Sequence, residues 1–76
     1  MQEREAKILL ASKDLKDAVI QPNIGQQGWT ITFKDKNEQP QPLVSKRSND
    51  PRLFKTSDAA LRCCARIGFN QVEVLV

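Results

Sequence analysis

The sequence predicts a small α+β domain, a mainly antiparallel sheet with helices packed on one face, in the order α-β-β-β-α-β. Three observations carry that prediction. Trp29, Ile31 and Phe33 alternate with Thr30, Thr32 and Lys34, the two-residue period of a strand with one apolar face. Thr56 to Gly68 reads as a capped amphipathic helix. Gln71 to Val76 then returns to valine-rich, strand-like sequence. With 76 residues the chain holds a single domain, residues 1–76, whose core is small and whose stability is expected to be marginal.

Residues 1–16 form the amino-terminal segment, helical from residue 3. Ala, Leu, Glu, Lys and Arg dominate it, and Glu3 with Lys7 is a favourable i, i+4 pair. Ile8, Ala11 and Leu15 share one stripe, with Leu9 and Leu10 beside it. The stripe is narrow, so the helix needs its own sheet or a second subunit as partner, and its first turn is expected to fray. Asp17 to Asn23 is ambiguous: Ala18-Val19-Ile20 has strand character and Pro22 stops either element. Gly25-Gln26-Gln27-Gly28 is a loop suited to joining antiparallel strands. After the strand at residues 28–34, Asp35-Lys36-Asn37-Glu38 makes a turn. Gln39-Pro40-Gln41-Pro42 is too rich in proline for a central strand, which leaves Leu43-Val44-Ser45 as a short edge strand. Lys46 to Arg52 is a loop with Asn49-Asp50-Pro51 as its turn signal.

In the second helix Thr56 is the N-cap, and Asp58 suits the positive end of the helix dipole. Ala60, Leu61, Cys64, Ile67 and part of Ala65 are expected inside, with Cys63 at the edge of the core. Asp58, Arg62 and Arg66 belong to the solvent side. Gly68 is placed to end the helix in a left-handed conformation, with Phe69 folding back in a Schellman-type stop. In the final strand Val72, Val74 and Val76 share one face.

Composition excludes several functions. General acid–base or nucleophilic catalysis calls for paired carboxylates or a base beside a nucleophile. This chain has no His, and its acids are scattered among lysines and arginines, so we expect no enzyme and no cofactor. The two cysteines are neighbours, Cys63 and Cys64, which fits neither a helix-compatible disulfide nor a zinc ligand set, so we expect no metal. No apolar run has the length of a membrane span, and the amino terminus has no signal-like core, so no membrane partner and a cytoplasmic location are expected.

The net charge of +3 is unevenly spread. Residues 1–45 balance, whereas residues 46–76 hold Lys46, Arg47, Arg52, Lys55, Arg62 and Arg66 against Asp50, Asp58 and Glu73. The polar strand face of Thr30, Thr32 and Lys34, flanked by Lys36, Lys46, Arg47, Arg52 and Lys55, is therefore a candidate surface for duplex DNA. Small sheets read base edges in this way while cations neutralise phosphates.

W-T-I-T-F-K followed, after the basic loop, by R-L-F-K-T-S-D-A-A resembles the AP2-like, arm-binding DNA modules of phage-type tyrosine integrases over residues 28–67. The resemblance implies a three-stranded sheet that reads DNA, a helix packed behind it, and a small DNA-binding accessory or regulator of the mobile-element kind. An extra helix before and an extra strand after distinguish this chain, and its last β-α-β portion also resembles ferredoxin-like and peptidoglycan-binding modules. The alternative function is a protein–protein interaction module or adaptor that self-associates, as a homodimer, through its amino-terminal helix or carboxy-terminal strand.

Overall fold

The computed structural model describes residues 1–25, 27–47 and 49–76. Its elements are α1 (Glu3–Ala11), β1 (Leu15–Pro22), β2 (Trp29–Asp35), β3 (Pro40–Pro42), α2 (Ser57–Ile67) and β4 (Glu73–Val74), the α-β-β-β-α-β order of an α+β fold. The sheet runs β3-β2-β1-β4, antiparallel except for β4, which lies parallel to β1. Both helices pack on one face of it and against each other.

The core forms where that face meets the helices. Leu15, Ala18 and Ile20 of β1 and Ile31 and Phe33 of β2 are buried there, against Ala6 of α1 and Ala60, Cys63, Cys64 and Ile67 of α2. Phe33 stacks on Phe69, with ring centroids 5.7 Å apart. Phe69 reaches that position because the chain reverses at Gly68 (φ 122°), where both the Gly68 and Phe69 amides return to the Cys64 carbonyl. Thr56 caps the start of α2, its hydroxyl accepting from the Ala59 amide at 3.1 Å. Thr56→Ala is expected to cost about 1 kcal/mol. In a thermal melt that lowers Tm by about 4–8 °C.

Several expected details change. The helix stops at Ala11, because the Ser12 hydroxyl bonds the Leu9 carbonyl and the Asp14 carboxylate while Lys13 turns left-handed at φ 65°. Leu15 therefore belongs to β1, and the stripe Ile8-Ala11-Leu15 does not exist. The inner face of α1 is Ala6 with half-buried Glu3, Leu9 and Leu10, whereas Ile8 and Ala11 are exposed. The ambiguous segment after residue 17 is strand, and it is central. The edge strand lies at the prolines themselves, Pro40 and Pro42, where a missing amide matters least. Leu43 is instead a core residue. Leu61 and Ala65 face outward, and Cys63 is fully buried because α1 covers it. Only Glu73–Val74 of the last segment pairs with its neighbour, and Val76 is fully exposed. The joining loop Gly25–Gly28 includes Gln26, which lies outside the described residues; its flanks carry the expected antiparallel pairing, Pro22 opposite Trp29.

Candidate functional site

The sheet face away from the helices is uncovered. Residues opposite one another on neighbouring strands share a face. The register sets Asp17 against Lys34, Val19 against Thr32 and Gln21 against Thr30 on that side, extended by Pro40 and Pro42 of β3 and Glu73 of β4. A shallow groove runs across it, lined by Val19, Gln21, Thr32, Lys34, Pro40 and Pro42. Thr30, Thr32 and Lys34 thus stand together on an open face. Its ionisable groups are Lys34 against Asp17 and Glu73, so this face is not basic.

The other candidate residues lie elsewhere. Lys36 sits in the β2–β3 turn and pairs with Asp14 at 3.2 Å. That turn is built by Asp35, whose carboxylate accepts from the Asn37 and Gln39 amides at 2.8 and 2.9 Å and from the Gln41 side chain. These bonds, the Gln39 amide foremost, hold the Asp35 carboxyl below its ordinary range. The Asp14 carboxyl is lowered likewise, by the Ser12 hydroxyl and then by Lys36.

Arg52 turns to the helical side. Its Nη1 donates to Glu3 Oε1 at 3.0 Å, and its guanidinium carbon lies 4.9 Å from the centre of the Phe54 ring. Arg66 of α2 reaches the same carboxylate from the other side, Nε and Nη2 each at 3.5 Å. Cys63 Sγ lies 3.5 Å from Glu3 Oε1. Next to this group the Met1 carbonyl accepts from the Val44 amide at 2.9 Å, and the Met1 amine donates to the Pro42 carbonyl. The start of α1 is therefore a hub that draws together the base of the basic loop, Arg52 and the last turn of α2. Lys46 and Arg47 are exposed in that loop, Lys55 is exposed just before α2, and Arg62 is exposed one turn before Arg66. Of the cations of residues 46–66, Arg52 and Arg66 meet at Glu3 on the helical side, while Lys55 lies beside Gln27 and Gly28.

Sequence reasoning missed Glu3, the residue that organises this cluster. No signal within α1 marked it, since Arg52 is 49 positions away along the chain. Burial pushes the Glu3 carboxyl upward, but hydrogen bonds from Arg66, Arg52 and Cys63 outweigh that, and its pKa is lowered overall. A lowered carboxylate pKa adds stability at any pH above the ordinary glutamate value, about 4.3, and loses it as the pH falls through the folded value. The stability difference between the parent chain and Glu3→Gln, measured by urea unfolding, is accordingly expected to be constant from about pH 8 to 5 and to shrink below about pH 4.

Neither thiol is activated. Burial raises the Cys63 thiol, and that of Cys64 is pushed up to about 11, so both stay protonated at neutral pH. No group of His, Cys, Asp and Glu suited to a metal ion is found among the described residues, and among them no helix is long and apolar enough to cross a membrane. The chain matches no family model, no curated protein and no solved structure.

Proposed function

We propose that this chain is a non-enzymatic, cytoplasmic binding module for duplex DNA that works through its basic loop and α2, with Lys46, Arg47, Lys55 and Arg62 contacting phosphates. The observation that carries this reading is the excess of cations in residues 46–66, two of which, Arg52 and Arg66, meet at Glu3. Residues 46–66 hold Lys46, Arg47, Arg52, Lys55, Arg62 and Arg66 against Asp50 and Asp58, while the rest of the chain is close to neutral. Fields of one sign attract the backbone of nucleic acid irrespective of sequence, and cations on long exposed side chains neutralise phosphates at little structural cost. The likeness of residues 28–67 to integrase arm modules supports the same class of partner and a role as an accessory or regulator on mobile DNA.

If four phosphates are neutralised, duplex affinity should fall about 100-fold between 50 and 200 mM salt. Changing Lys46, Arg47, Lys55 and Arg62 together to Gln should flatten that dependence, read by fluorescence polarisation on a labelled duplex. All four side chains are exposed, so circular dichroism should be unchanged. No duplex binding at 50 mM salt would end this reading.

The open sheet face favours a second reading, a protein-binding surface. Its groove is lined by Val19, Thr32 and the two prolines as well as by Gln21 and Lys34, and its charge does not suit a polyanion. Beside it β4 is an edge strand followed by exposed Leu75 and Val76, an arrangement open to pairing with another strand, including that of a second copy. Sedimentation over a concentration series tests self-association. A monomer at all concentrations, from both the parent chain and Val19→Glu, would leave that part of the reading without support.

A further inference from the structure

We propose that Arg52 and Arg66 form a phosphodiester-binding pair that α1 keeps occupied, with the Glu3 carboxylate standing in for the phosphate. This rests on the duplex-binding reading and names a site and a control within it.

The geometry has three parts. First, the two guanidiniums converge on a single carboxylate, two positive charges on one negative. Arginine forks suit carboxylate and phosphate oxygens alike, which makes the one an imitation of the other. Second, each arginine is carried by a segment other than α1. Arg52 rests on the ring of Phe54, itself buried beside β2, and Arg66 belongs to the rigid last turn of α2. Third, α1 has fewer fully buried residues than α2. It is 9 residues long, its N-cap Gln2 makes no side-chain cap bond, and Ala6 is its one buried residue. Ile8 is 63% exposed, and the apolar area that opposes lifting the helix is that of Ala6 with Met1, Leu9 and Leu10 packed against the core. Elements with few buried contacts open first among the local fluctuations of a fold.

A phosphodiester competing for Arg52 and Arg66 would displace Glu3, and α1 would lift from α2. Cys63 is the reporter, because it is fully buried while its sulfur lies 3.5 Å from Glu3 Oε1. Opening of α1 uncovers Cys63.

The test compares the parent chain with Glu3→Gln and with Glu5→Gln, which makes the same charge change on the exposed side of α1. Duplex affinity at 50 mM salt is expected to rise about 5- to 10-fold in Glu3→Gln, with a salt slope steeper by 1 to 2 phosphates. Glu5→Gln should gain less than 2-fold, and adding Arg52→Gln and Arg66→Gln to Glu3→Gln should remove the gain. A parent chain that binds duplex while Glu3→Gln binds no better than Glu5→Gln overturns the pair and leaves the basic-loop reading standing. Absence of binding by parent and Glu3→Gln alike overturns both. A second measurement needs no variant. Saturating duplex should speed alkylation of Cys63 in the parent chain about 5-fold, located by tandem mass spectrometry. An unchanged or slowed Cys63 rate overturns the displacement of α1.

Discussion

Phe33→Ala is expected to remove about 3–5 kcal/mol of stability, enough to unfold the chain at 25 °C if its stability lies at the low end for its length. Phe33 is fully buried on the central antiparallel pair, and its ring stacks against Phe69 at 5.7 Å, joining the sheet to the reversal that follows α2. Truncating a buried phenylalanine costs about 3–5 kcal/mol, the lost transfer energy plus that of the cavity. A chain of this length has on the order of 4–11 kcal/mol to lose. The cavity would lie where helix, sheet and reversal meet, so no single element can collapse into it. Far-UV circular dichroism and urea titration decide the matter. A midpoint shifted by less than the equivalent of about 1 kcal/mol would mean that Phe69 had moved in to fill the space. Phe33→Leu, which keeps most of the volume, should retain the fold with a loss nearer 1–2 kcal/mol.

Gly28→Ala carries the second large effect, about 2–3 kcal/mol. Gly28 has φ 115°, and a Cβ built on it would stand 3.1 Å from the Phe54 carbonyl oxygen. That carbonyl accepts the Trp29 amide at 2.8 Å, and the Phe54 amide returns to the Trp29 carbonyl at 2.9 Å. This pair of bonds fastens the segment before α2 to the start of β2. An added methyl group meets both an unfavourable backbone conformation and the acceptor of the fastening bond. Gly25→Ala supplies the control, since Gly25 also has positive φ (84°) but no atom within 4 Å of the built Cβ. It should cost about 1 kcal/mol, the conformational part alone. Equal losses at the two glycines, measured by denaturant unfolding, would show that the Phe54 carbonyl yields readily.

What the sequence disclosed was local. The alternation through Trp29–Phe33, the Thr56 cap and the Gly68 stop each depend on a few neighbouring residues, and each stands in the structure. The error in α1 has the same origin. Leu15 falls one heptad after Ile8, so periodicity alone carried the helix through Ser12-Lys13-Asp14, where a hydroxyl bond and a left-handed residue end it. Cys63 was misjudged because its cover is a helix 60 positions away. The candidate site suffered similarly. Thr30, Thr32 and Lys34 share a face because a single strand dictates it. Whether Arg52 and Lys36 were available to a ligand depended on Glu3 and Asp14, and on a topology that charge counts do not contain.

The parallel pairing of β4 with β1 has a consequence for how the chain folds. Val19 aligns with Glu73, 54 positions later, whereas β1 and β2 meet across a short loop. The β1–β2 hairpin can therefore form on its own within microseconds, but the other edge of β1 waits for a contact whose closure entropy is among the largest in the molecule. Until then β1 offers unpaired amides and carbonyls beside a nascent apolar face. Late in refolding, this edge is where two unfinished chains would find each other, and aggregation during refolding should rise with concentration for variants that weaken Glu73–Val74.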